Sequence, residues 1–129
     1  MDDDDVILIL TDEARSSRDV ALAIVTGLFG KKIQVVRASE FSGTDILGAS
    51  FCFLGCAKPA PPDFKHFEKV VRHINLTLRR CAFFSPDSEE AVHYLAELVK
   101  DSGIKVSSLP LVSSKPLEIK KWAWHSIKK

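Results

Sequence analysis

The residues best suited to covalent or metal chemistry are three cysteines and four histidines, and spacing decides what they can do. Cys52, Cys56 and Cys81 form an odd, sparse set, which does not read as a disulfide framework. On one extended segment Cys52 and Cys56 stand about 13 Å apart, too far for a disulfide. No C-x-x-C pair occurs, so a zinc ribbon and a thioredoxin-type motif are excluded. Cys56 lies past a predicted strand end beside Lys58, and a nearby cation lowers the pKa of a thiol. The same position suits an inert, partly buried cysteine. His66 and His73 fall seven apart in one helical pattern, roughly 10 Å along the axis, and cannot share a metal unaided. His93 and His125 stand alone, so no metal site is expected and no catalytic residue is assigned. Gly27-Leu28-Phe29-Gly30-Lys31 lacks the spacing of a P-loop, and Asn75-Leu76-Thr77 is only a formal glycosylation sequon.

These residues must be positioned by a single domain, since 129 residues are enough for one proper core. The net charge of +1 argues against a dedicated nucleic-acid binder, which carries a strong basic excess. No apolar run approaches the roughly 20 residues that span a bilayer. The chain starts acidic, at Asp2 to Asp5, where a signal peptide is basic and then apolar. A cytoplasmic protein, with no membrane partner and a solvated acidic tail over residues 1–5, is the expectation.

Apolar runs alternate with helical patterns. Val6–Leu10, Ile33–Val36, Phe51–Leu54 and Cys81–Phe84 read as strands, three of them continuously apolar, as strands buried on both faces are. A fifth strand falls within Ile104–Val112, where Pro110 marks an irregular or exposed edge. Val20, Ile24 and Leu28 recur every four residues in a first helix, capped by Ser16 or Ser17 and ended by Gly30. Ala38–Ser50 leaves space for only a short helix. Pro61-Pro62-Asp63 announces a helix with Phe64, Phe67, Val71 and Ile74 facing the core. Ser88 or Asp87 caps the next, with Ala91, Val92, Leu95, Leu98 and Val99 inward and Gly103 after it. A last helix runs from about Leu117, with Trp122 in the core and Trp124 exposed off that face. Alternation of this kind implies a parallel sheet with right-handed crossovers.

Several stretches resemble the flavodoxin family. Thr44-Asp45-Ile46-Leu47-Gly48-Ala49-Ser50-Phe51-Cys52-Phe53-Leu54-Gly55 resembles its short helix and third strand, and Pro61-Pro62-Asp63-Phe64 with Phe67 its third helix. Leu78-Arg79-Arg80-Cys81-Ala82-Phe83-Phe84-Ser85 resembles its fourth strand; Gly103-Ile104-Lys105-Val106, Lys115-Pro116 and Trp122 resemble its closing strand and helix. The resemblance implies a three-layer, doubly wound α/β fold with a five-stranded parallel sheet in the order 2-1-3-4-5. It also implies a site at the carboxyl ends of the strands, where open sheets bind ligands at the switch in strand order.

In that family three loops there hold FMN. The first is Thr11-Asp12-Glu13-Ala14-Arg15-Ser16-Ser17, matching a turn that cradles the phosphate with backbone N–H groups, hydroxyls and the helix dipole. Ser16 and Ser17 keep hydroxyls. The glycine is missing, Arg15 stands near its place, and Ala14 replaces a threonine. Asp12 and Glu13 oppose a phosphate, and Arg15 or Arg18 compensates. A plain capped helix start accounts for the same residues. The second loop, Gly55-Cys56-Ala57-Lys58-Pro59-Ala60-Pro61-Pro62, has no aromatic to stack on a flavin, which leaves Phe64 to do so. In the third, Ser85-Pro86-Asp87-Ser88, Asp87 matches a ring-edge contact or serves as a helix cap.

Receiver domains of response regulators share this strand order. Asp12 and Glu13, Ser85, and Lys115-Pro116 resemble their acidic pair, hydroxyl and lysine, but Leu54-Gly55-Cys56 has no carboxylate to accept a phosphoryl group. The resemblance therefore implies an FMN-binding electron-transfer protein. Thr11, Arg15, Ser16 and Ser17 would hold the phosphate, Gly55, Cys56, Ala57 and Lys58 one side of the ring, and Ser85 and Asp87 the other edge. A redox or regulatory protein would be its partner. The alternative is a flavodoxin-like domain without flavin, serving as a protein-binding or regulatory module.

Overall fold

A computed structural model describes residues 5–128, so most of the expected acidic tail, Met1–Asp4, lies outside the described residues. Six strands and five helices follow one another: β1 Val6–Thr11, α1 Arg15–Gly27, β2 Lys32–Arg37, α2 Gly43–Leu47, β3 Phe51–Gly55, α3 Lys65–Val71, β4 Arg80–Ser85, α4 Glu89–Val99, β5 Lys105–Val106, β6 Leu111–Val112 and α5 Pro116–Lys128. Every strand pairing is parallel, in the order β2-β1-β3-β4-β5, with β6 also on β4. The doubly wound, flavodoxin-like architecture expected from the sequence is present.

Both faces of the sheet are covered, which explains the continuous apolar runs. Leu8, Leu10, Cys52, Leu54, Cys81 and Phe83 join the core cluster that Phe67 and Val71 of α3 and Leu95 and Val99 of α4 complete. Ile7, Ile9, Phe51, Phe53 and Phe84 point the other way, into a cluster with Val20 and Ile24 of α1 and Ile119 and Ala123 of α5. Successive strand residues face opposite layers, so each position is apolar in turn. Each fully buried phenylalanine, leucine or isoleucine contributes about 1.5–3 kcal/mol, and these strands supply most of them.

The irregular edge expected within Ile104–Val112 is present as a divided strand, and three other local expectations need correction. The fifth strand position is split. β5 pairs with Arg80 and Cys81 of β4, and β6 pairs with Phe84 and Ser85, one after the other along the same edge. Between them Ser107 donates through Oγ to the Ser126 carbonyl at 2.6 Å, and the Trp122 indole N–H donates to the Leu109 carbonyl at 2.8 Å. Neither Ser16 nor Ser17 caps α1: the capping residue is Ala14, which offers no side-chain acceptor. The helix closes at Gly27, and Gly30 serves the turn beyond it with φ +87°. Trp124 is half-buried rather than exposed; its indole N–H donates to the Gly27 carbonyl at 2.7 Å, and Lys31 and Lys128 lie over its ring. Trp122 is likewise half-buried and packs on Phe53 and Phe84 at the margin of the core. Ser88 is the cap of α4, its Oγ accepting the Ala91 N–H at 3.1 Å.

Candidate functional site

Register alone gathers the three loops. Thr11 at the end of β1 pairs with Gly55 at the end of β3, and Gly55 pairs with Phe84, one residue before Ser85. The loops after β1, β3 and β4 therefore leave one edge of the sheet side by side. This is the switch point, since the chain winds from β1 outward to β2 and then back across to β3.

Gly55 is held there by packing. A Cβ at this position would lie 2.1 Å from two ring carbons of Phe84, so only glycine lets the ring lie against β3. The Cys56 N–H then donates to the Phe84 carbonyl at 3.3 Å.

The centre of the edge is filled by carboxylates. Asp12 is only 4% exposed. Its Oδ2 accepts the Ala57 N–H at 3.2 Å, tying the first loop to the second. Its Oδ1 and the Ser17 Oγ are both buried without a hydrogen-bond partner among the described residues. Burial raises the Asp12 carboxyl above its ordinary value, and the nearby charge of Asp63 adds to this; the Ala57 N–H acts in the opposite sense. Asp63, in the 3-10 turn Pro62–Phe64 that leads into α3, accepts the Glu13 N–H on its Oδ2 at 2.6 Å. Two backbone donors facing this edge are thus occupied by the chain's own anions.

The other expected site residues scatter by exposure. Thr11 is buried, whereas Arg15 and Ser16 are exposed on the first turn of α1. Ser17 instead turns inward and is fully buried, at the head of the stripe Val20, Ala21 and Ile24. Ala57 is half-buried and Lys58 exposed. Ser85 is buried and its Oγ accepts the Ser88 N–H at 3.1 Å; Asp87 is exposed beside it.

Cys56 does not have the features of a reactive thiol. It is fully buried, and burial together with the charge of Asp12 pushes its pKa up to about 12. Lys58 offers no offset through its side chain. Cys52 and Cys81 are free, buried register partners. Among the described residues no group of three His, Cys, Asp or Glu side chains could hold a metal ion.

FMN needs an open anion cradle and a flat apolar wall, and the residues present do not fit it. The cradle carries Asp12, whose charge opposes a phosphate, and Asp63, which in the sequence is only a helix signal. The three loops supply no aromatic side chain for the wall either. Phe64, the one aromatic assigned to stacking, is fully buried, between Phe67 and Tyr94. Tyr94 donates its hydroxyl to Glu68 at 2.6 Å and braces α4 against α3.

No family model matches the chain, and no curated protein sequence matches it either. Solved structures do. A flavodoxin of Streptococcus pneumoniae TIGR4 superposes with TM-score 0.81 at 13% identity, over 95% of this chain and 97% of that one. Oxidised flavodoxin 2 of Bacillus cereus gives TM-score 0.82 at 15% identity, over 96% and 98%. A Fusobacterium nucleatum flavodoxin bound to flavin mononucleotide gives 0.78 at 12% identity, over 95% and 97%. The fold is therefore flavodoxin-like over about 95% of the chain. No helix among the described residues is long and apolar enough to cross a membrane.

Proposed function

We propose that this domain is a flavin-independent binding module on a flavodoxin-like scaffold, serving a regulatory partner. One observation carries the reading: the Glu13 and Ala57 N–H groups, which open onto the switch-point edge, are held by Asp63 and Asp12. An incoming phosphate would have to displace two carboxylates and then remain beside them, and like charges at close range cost several kcal/mol in a partly desolvated site, on the order of 4 kcal/mol. Electron transfer through FMN is the reading that fold likeness favours, and it needs a stacking aromatic that the three loops lack.

The test is direct. The purified 129-residue chain is expected to be colourless and to leave the fluorescence of added FMN unquenched at micromolar protein. Saturable quenching in that range would overturn the proposal and restore the electron-transfer reading.

A further inference from the structure

A groove of about 500 Å³ lies between α1 and the edge strand β2, on the outer side of the loop that follows β1. Its two ends differ. Arg15 and Arg18 come from the first turn of α1, and Arg37 ends β2 beside Thr11. Leu22, Val25 and Val35 line the remainder, and Leu22 and Val35 are 64% and 54% exposed.

Three arginines face one acidic lining residue, Asp19. Arg37 also lies 3.7 Å from Glu13 and 3.9 Å from Glu40, both exposed pairs of little energy. Arg15 and Arg18 have no ion pair among the described residues. Their placement costs the helix something, because cations in a first turn oppose the helix dipole and no acidic residue offsets them there. Helix stability therefore does not explain them. Nor does core packing explain a leucine and a valine left open beside them.

We infer that this groove binds a small amphipathic anion, with its carboxylate or phosphate on Arg15, Arg18 and Arg37 and an aliphatic body along Leu22, Val25 and Val35. The volume lies within the range of small-molecule sites. Guanidinium groups suit such a head group because they can donate two parallel hydrogen bonds to it. The buried side of the α1 start, where Asp12 lies, refuses anions; the outer side attracts them. The inference gives the binding-module reading a site and rests on that reading only in this; it is argued from Arg15, Arg18 and Arg37, whereas the reading is argued from Asp12 and Asp63, so FMN titration and the experiment below can fail separately.

Calorimetric titration of the full chain with octyl phosphate, octanoate, octyl glucoside and inorganic phosphate tests it. Octyl phosphate or octanoate is expected to bind one-to-one below about 1 mM. Octyl glucoside, which lacks the charge, and inorganic phosphate, which lacks the body, are expected to bind at least tenfold more weakly. Arg18→Gln and Leu22→Gln, both at exposed positions, are each expected to weaken binding by about tenfold. The relative affinity of octyl phosphate and octanoate identifies the head group. Absence of saturable binding by either anion, equal binding of octyl glucoside or inorganic phosphate, or wild-type affinity in both variants would overturn the proposal.

Discussion

The carboxylate of Asp63 accepts the backbone N–H of Glu13 at 2.6 Å, across 50 positions of sequence. This bond fastens the loop after β1 to the turn that leads into α3. A charge-assisted bond to a backbone donor contributes about 1.5–3 kcal/mol, and partial exposure of Asp63 places it at the lower end. Asp63→Asn is expected to lower the unfolding free energy by about 1 kcal/mol, read as a shift of the urea midpoint. An unchanged midpoint would show that the bond contributes nothing net.

Asp12 gives the protein a pH dependence of unusual sign for a carboxylate. Burial, with help from Asp63, raises its folded pKa above the ordinary 3.8. The native state then holds the proton more tightly than the unfolded chain does. The contribution of this group is fully present below the unfolded pKa and is lost as pH rises through the folded pKa. Asp12→Asn keeps an acceptor for Ala57 and removes the titration. The variant's stability relative to wild type is expected to rise from about pH 4 toward neutrality, measured by urea unfolding at several pH values. A difference that stays flat with pH would refute the assignment.

Gly55 is expected to tolerate no side chain. Gly55→Ala sets a methyl group into the Phe84 ring and should cost about 3 kcal/mol, the upper part of the range for overpacking. Combining it with Phe84→Leu should recover part of that loss, since the two positions share one contact. Additive losses in the double variant would mean that the ring is not the obstacle.

The thiols are expected to be silent in the folded protein. Cys52, Cys56 and Cys81 are buried, with Cys56 and Cys81 pushed to about 12. A disulfide reagent at about pH 8 should label none of them natively and all three in denaturant. Rapid labelling of native Cys56 would return it to consideration as a reactive group.

The scaffold was legible because strands buried on both faces announce themselves. Val6–Leu10, Phe51–Leu54 and Cys81–Phe84 needed no partner to be recognised. The start of α1 was misread through its serines. Ser17 lies three residues before Val20 and seven before Ile24, so it continues the buried stripe by one turn. That spacing was available in the sequence, but serine before a helical pattern reads first as a cap. The links of Asp63 to Glu13 and of Asp12 to Ala57 were not available at all. They join positions 50 and 45 residues apart, and only the folded register brings them together. The groove of arginines was equally hidden, because Arg37 and Arg18 meet only when β2 lies beside β1.

The divided edge of the sheet has a consequence for how the molecule opens. β5 and β6 hold β4 through two short ladders, and the chain between them is bonded to α5 through Ser107, Ser108 and the Leu109 carbonyl. Peeling this strand from the sheet breaks its bonds to α5, and detaching α5 breaks the same bonds. The stretch from Lys105 to Lys128 is built to exchange its amide hydrogens as one cooperative unit, with a single opening free energy shared between an edge strand and a helix.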